Sequence, residues 1–141
     1  MDLTDALTFA RDHKQAVLTT IRSNGRPQLS NIIYEVTDDG VIRISVTADR
    51  AKYKNLVRDP WAALHITRED FYAYAVIEGD VELSAIAAAP DDAAVEELIE
   101  VYRAMLGEHP DWDDYRASMV EDRRVVVRLR PTRAYGMVPK P

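Results

Sequence analysis

Arg50, Lys52 and Lys54 lie within five residues of one another, directly after a segment in which Ser45 and Thr47 alternate with Ile44 and Val46. These are the ingredients of an anion site. Arg offers a planar fork that matches phosphate oxygens, and Lys offers a point charge. A helix opening near Arg50 adds unpaired N–H groups and the positive end of its dipole. On a strand leading into that helix, Ser45 and Thr47 share a face and add hydroxyl donors. The competing reading is a solvated basic surface, with Asp49 as the helix cap.

A second group can hydrogen-bond without charge. Thr19, Thr20, Gln28, Ser30 and Asn31 straddle the turn at Asn24-Gly25. Antiparallel pairing brings such strands side by side, and their hydroxyls and amides suit the polar edge of a flat heterocycle. A half-exposed sheet face is the alternative, since Thr is common there. Tyr72 and Tyr74 suit stacking on a ring or covering a subunit interface. Arg123 and Arg124 either reach an acidic ligand tail or lie on the surface. His13, His65 and His109 have no metal-ligand spacing. No Gly-rich dinucleotide fingerprint, phosphate-binding loop or nucleophile elbow occurs. Asp91-Asp92 and Asp113-Asp114 fall in first turns of helices, where they complement the dipole. No catalytic residue is assigned, so any hard chemistry falls to a cofactor.

The elements that must position these groups are legible from periodicity. An amphipathic helix is expected over residues 2–13, capped by Asp2, with Leu3, Ala6, Leu7 and Ala10 on one face. Strands are expected over 16–22 and 27–36, joined at Asn24-Gly25 by a type I′ turn. A second hairpin at Asp39-Gly40 leads to a strand with Ile42, Ile44 and Val46 on one side. Asp49 then caps a short helix over 50–58 that ends before Pro60. Strands follow over 61–67 and 73–84, the latter with a bulge at Gly79. Pro90 opens a helix that Gly107 ends, with Val95, Leu98, Ile99, Tyr102 and Met105 as its buried stripe. A helix over 111–121, capped by Asp111, and a strand over 124–135 complete the chain. The sum is mainly β: roughly six antiparallel strands in a barrel with flanking helices.

Composition narrows the classes. A length of 141 residues without a linker favours one domain over residues 1–141. There are no cysteines, which excludes disulfides and thiolate metal sites. No apolar run approaches a membrane span and no basic leader precedes the first helix, so a cytoplasmic protein is expected. The net charge of −6 is uneven: residues 1–58 carry +2, 59–122 carry −14 and 123–141 carry +6. A pI near 5.0 argues against nucleic-acid binding, while a local basic pocket stays open.

Several segments in order carry a family resemblance: Leu18-Thr19-Thr20-Ile21 to Gly25-Arg26-Pro27-Gln28-Leu29-Ser30-Asn31, then Arg50-Ala51-Lys52 with Asn55-Leu56 and Asp59-Pro60. Tyr74-Ala75-Val76 with Glu78-Gly79, and Trp112-Asp113-Asp114-Tyr115 to Asp122-Arg123-Arg124-Val125, continue it. From about residue 14 to 138 the chain resembles the flavin and deazaflavin oxidoreductases of the split β-barrel superfamily. It is nearest their F420-dependent branch, similar in fold to pyridoxamine 5′-phosphate oxidase. The resemblance implies a homodimer with two cofactor sites at the interface. It implies that Arg50 and Lys52, with Ala51 between them, hold the phosphate of coenzyme F420. Ser45, Val46 and Thr47 would follow the ribityl chain. Thr20, Gln28, Leu29 and Ser30 would edge the ring, and Tyr72 and Tyr74 would come from the partner. Lys54, Arg26 and Arg123 are candidates for the oligoglutamate tail. The implied activity is hydride transfer from reduced deazaflavin to an electron-poor small molecule: an enone, a quinone or a tetrapyrrole. FMN-dependent chemistry on the same fold and a non-catalytic F420 carrier are the alternatives. The chain ends Gly136-Met137-Val138-Pro139-Lys140-Pro141, without the Arg-rich tail of true pyridoxamine phosphate oxidases, so vitamin B6 oxidation is not expected.

Overall fold

The architecture turns on Tyr34. Strand β2 (Pro27–Ile33) and strand β3 (Glu35–Val36) are separated by this one residue, yet they lie at opposite edges of one sheet. With β1 (Gln15–Ile21), β4 (Ile42–Thr47), β5 (Trp61–Thr67), β6 (Tyr74–Leu83) and β7 (Arg124–Met137), the order is β2-β1-β5-β6-β7-β4-β3. Every pairing is antiparallel. Edges joined by one residue cannot be far apart, so the sheet curls into a barrel with a seam between β2 and the edge formed by β3 and β4. Tyr34 is buried at the break, and its hydroxyl donates to the Ala10 carbonyl at 2.7 Å. Burial raises its phenol pKa, with the Asp12 charge adding to the effect. This is a computed structural model and it describes residues 1–139, so Lys140 and Pro141 of the C-terminal tail lie outside it.

The break at Tyr34 is why there are seven strands rather than the roughly six expected. The segment read as one strand over 27–36 serves both edges. The hairpins also differ from expectation. At Asn24-Gly25 only Gly25 has positive φ, 83°, where a type I′ turn needs two such residues. The Gly25 N–H donates to the Arg22 carbonyl and the Arg22 N–H to the Arg26 carbonyl. Thr37, Gly40 and Val41 repeat that pattern in the second hairpin. Both are type I turns closed by a left-handed glycine. The bulge at Gly79 is present, as a register shift between Glu78 and Gly79 against β7.

Strand alternation divides the residues between two faces. Leu18, Ile42, Ile44, Val46, Leu64, Ile66, Ile77, Val125, Val127 and Leu129 fill the barrel. Helix α1 (Leu3–Arg11) packs Ala6, Phe9 and Ala10 onto that core, and the Asp2 carboxylate accepts from the Asp5 N–H. Helix α2 (Ala51–Arg58) follows β4 and lies beside β1. Helices α3 (Ala93–Leu106) and α4 (Trp112–Glu121) form a second cluster outside the barrel, over Val126. Helix α3 begins later than Pro90 because Asp92 takes the cap, accepting from the Val95 N–H at 2.9 Å. Asp111 caps α4 as expected.

Ion pairs seat α3 across the seam. Glu97 pairs with Arg128 on β7 and Glu100 with Arg43 on β4, while Arg43 also bonds Glu35 on β3. At the far end, Lys14 Nζ, just before β1, donates to the Met105 carbonyl at 2.9 Å. Helix α3 therefore bridges the strands on either side of the opening.

Candidate functional site

Under the C-terminal half of α3, the seam opens into a cavity of about 830 Å³. Its floor is the outer face of β1, β2 and β5, including Val17, Asn31, Ile33, His65 and Thr67. Ser45 of β4, Lys52 of α2 and Arg124 of β7 form one corner. Tyr102, Met105 and Leu106 of α3, with Tyr115 and Met119 of α4, form the helical wall. The cavity thus has a cationic corner, a polar floor and an apolar wall.

The corner departs from expectation at its cap. Arg50, not Asp49, is the N-cap of α2, and it makes no side-chain capping bond. In contrast, α1, α3 and α4 each carry a capping Asp. The first turn of α2 therefore offers N–H groups with no side-chain acceptor. Lys52 Nζ lies 3.4 Å from Ser30 Oγ. Burial lowers the Lys52 pKa, and the Arg50 and Arg124 charges lower it further. Arg124 Nη1 lies 3.4 Å from Ser45 Oγ and 3.5 Å from the Ser45 carbonyl. Thr47 is paired across the strands with Arg124. Arg124 Nε is buried and has no hydrogen-bond partner, and the buried Thr47 hydroxyl lies beside the Asp49 carboxylate, which it holds below its ordinary pKa.

Sequence reasoning missed a polar knot behind this corner. Asn55 of α2 is buried, and its Nδ2 donates to Thr20 Oγ1 at 3.1 Å and to Gln28 Oε1 at 2.7 Å. Arg58 Nη2 donates to Asn55 Oδ1 at 3.0 Å and to the Ile21 carbonyl at 2.7 Å. Asn55 fixes the helix to the β1–β2 hairpin. One signal was available: an amide beside Leu56, on the face of a short helix that must be buried.

The twelve residues expected to hold a cofactor fall into separate groups. Ser45 and Lys52 line the cavity. Arg50 and Ala51 stand at the start of α2, both exposed. Thr20, Gln28 and Ser30 lie on the strand face turned toward α2, whereas Leu29 points to the other face and is 62% exposed. The Val46 side chain is in the barrel core, and Thr47 is paired across the strands with Arg124. Tyr74 packs edge-on against His65, ring centroids 5.5 Å apart, while Tyr72 projects from the β5–β6 loop at 81% exposure.

The outer face continues beyond the cavity. Asn31, Val17, His65, Val76 and Tyr135 form one row across five strands, and Leu29, Thr19, Ala63, Glu78 and Arg133 form the next. Leu29, Ile33, Tyr135 and Met137 on this face are exposed, with Phe71 and Tyr72 at its border. On the helical wall, the Tyr115 hydroxyl donates to the Leu98 carbonyl, and burial pushes its pKa up to about 12. It is therefore a fixed neutral wall residue. Among the described residues, no group of three or more His, Cys, Asp or Glu is placed to hold a metal ion. No helix among them is long and apolar enough to cross a membrane.

The family model described as pyridoxamine 5′-phosphate oxidase matches residues 4–137. The chain belongs to the pyridoxamine 5′-phosphate oxidase family. A structure named F420 reductase is 28% identical, with a TM-score of 0.60 over 86% of this chain and 89% of the other. A conserved hypothetical protein of Mycobacterium tuberculosis is 24% identical, with a TM-score of 0.73 over 96% of this chain and 84% of the other. A pyridoxamine 5′-phosphate oxidase-related, FMN-binding protein of Nostoc punctiforme shares the fold at 15% identity, TM-score 0.62, over 95% and 78%. The split barrel expected from the sequence is therefore the fold of this pyridoxamine 5′-phosphate oxidase family member.

Proposed function

We propose that this protein is a coenzyme F420-dependent oxidoreductase, working over residues 1–141 as one unit and as a homodimer. One observation carries the reading: α2 starts at Arg50 without a side-chain cap, and two residues on its Lys52 lines a corner of an 830 Å³ cavity. N–H groups without a side-chain acceptor, next to cations, fit a phosphate-bearing cofactor. The resemblance to a structure named F420 reductase favours the deazaflavin over FMN. When bound, the reduced cofactor supplies a hydride to an electron-poor small molecule such as an enone, a quinone or a tetrapyrrole.

The chain's own residues bind and orient. Arg50, Ala51 and Lys52 take the phosphate, with Ser45, Thr47 and the Val46 backbone along the ribityl chain. Gln28 and Ser30 on the α2 side and Leu29 on the outer face would border the ring region, with buried Thr20 behind them, and Asn55 keeps Thr20 and Gln28 in place. Met105, Leu106 and Met119 keep water from one side of the cavity. The exposed apolar face from Leu29 to Met137 supports pairing with a second copy, which brings Tyr72 and Tyr74 to the partner's cavity.

The test is a fluorescence titration of the protein with coenzyme F420 and, separately, with FMN. Low-micromolar binding of coenzyme F420 and weak binding of FMN is the expected result. The Arg50→Ala, Lys52→Ala double variant loses a few kcal/mol, since each charge-assisted bond contributes about 1.5–3 kcal/mol. Preference for FMN moves the protein to the flavin branch. Unchanged affinity in the double variant removes the assigned phosphate site.

A further inference from the structure

Three cations meet at the α2 corner, although like charges repel. Lys52 is half-buried, and both Arg50 and Arg124 act on it. Arg124 is held against Ser45 with its Nε buried and unbonded, while the Thr47 hydroxyl opposite lies beside the exposed Asp49 carboxylate. Its nearest carboxylate, Asp122 on the other side, is 3.9 Å from Nε and about half exposed. Buried donors normally find partners, and leaving one unpaired costs about 1–3 kcal/mol. A corner where three cations converge against two exposed carboxylates, Asp49 and Asp122, and where a buried guanidinium N–H stays unbonded, is shaped for an anionic occupant.

We propose that Arg124 is a third ligand of the anion held at the start of α2, and that it reads a second negative charge. This rests on the cofactor reading above for the identity of the occupant, but not for the existence of the anion site. Arg50 and the α2 N–H groups face one phosphate oxyanion. Lys52 and Arg124, flanking Ser45 inside the cavity, balance a further charge. The ligand chemistry is therefore a phosphate carrying more than one negative charge locally. A phosphomonoester dianion meets that requirement, and so does a phosphodiester with a neighbouring carboxylate. Arg124 suits the role because Ser45 fixes its fork before binding, so less side-chain freedom is lost on contact.

The experiment compares the wild type with Arg124→Gln and Arg124→Lys. Arg130→Gln, which removes one charge farther along the same strand, is the control. Affinities for inorganic phosphate, FMN and coenzyme F420 are measured by calorimetry and fluorescence, with thermal melts verifying each fold. Arg124→Gln is expected to weaken binding about 10- to 100-fold, Arg124→Lys less, and Arg130→Gln not at all. A loss confined to FMN assigns Arg124 to the monoester charge, and one confined to coenzyme F420 assigns it to the carboxylate. If Arg124→Gln fails to fold, Arg124→Lys alone decides, since matching the wild type for every probe would overturn the assignment. Cofactor binding that ignores Arg124 overturns this inference and leaves the cofactor reading standing. Arg124-dependent phosphate binding without affinity for either cofactor does the reverse. No binding of any probe removes both.

Discussion

Replacing Asn55 by Leu tests whether the amide knot, rather than helix propensity, holds α2 against the barrel. The two side chains branch at the same carbon and Leu is the larger, so the change removes hydrogen bonds without opening a cavity. Thr20 is 1% exposed and its hydroxyl loses the Asn55 donor, with no route to water. A buried polar group stranded in this way costs about 1–3 kcal/mol. Gln28 and Arg58 lie nearer solvent and exchange their lost bonds for water at roughly 0.5–1.5 kcal/mol each or less. The added burial of Leu offsets part of this, leaving a net loss of about 2–3 kcal/mol. For a chain of this size, that lowers the melting temperature by about 5–10 °C. Urea unfolding at fixed protomer concentration measures it directly, since any self-association would otherwise shift the midpoint. The decisive variant is the double one, Asn55→Leu with Thr20→Val. It removes both partners of the buried bond, so it should recover at least about 1 kcal/mol relative to the sum of the single changes. Strict additivity, within about 0.5 kcal/mol, would refute the knot as the fastening.

Leu29→Glu with Tyr135→Glu places charge on the exposed apolar face and should convert a dimer to a monomer in sedimentation; a monomeric wild type would refute that interface. Gly79→Ala should destabilise by about 3 kcal/mol, because a Cβ there would sit 2.1 Å from the Arg130 carbonyl oxygen, which is backbone and cannot step aside. An urea midpoint within error of wild type would contradict the close approach. Glu97 titrates below its ordinary value of 4.5, chiefly because Arg128 hydrogen-bonds the carboxylate, with burial opposing. Its stabilisation is therefore full above pH 4.5 and is lost as pH falls through the lower folded-state value. Glu97→Gln should be less stable than wild type at neutral pH, with the difference shrinking in acid. A difference that stays constant with pH would refute the linkage.

Local structure was legible where it depends on neighbours in sequence. Asp2 and Asp111 were readable as caps because a short acceptor three residues before a helical N–H bonds it whatever the surroundings. Alternation in Ile42-Arg43-Ile44-Ser45-Val46-Thr47 separated the core face from the outer face correctly. Asp49 looked like a cap by composition, but the chain enters α2 one residue later, so the cap position fell to a residue with no acceptor. The turn at Asn24-Gly25 was placed correctly and typed wrongly, since Asn24 did not need the left-handed conformation that its type allows.

Sequence alone determined the strands, the helices, the family resemblance and the basic, hydroxyl-bearing character of residues 45–52, because alternation, capping and charge are carried by adjacent residues. The tertiary structure decided what lies opposite them. The break at Tyr34 sends β2 and β3 to opposite edges and opens the seam. Pairing of β4 with β7 then brings Arg124, 79 residues after Ser45, to the same corner. Helix α3 supplies the wall because its carboxylates find Arg43 and Arg128. No periodicity encodes such contacts, since they depend on which strand edges meet when the sheet closes.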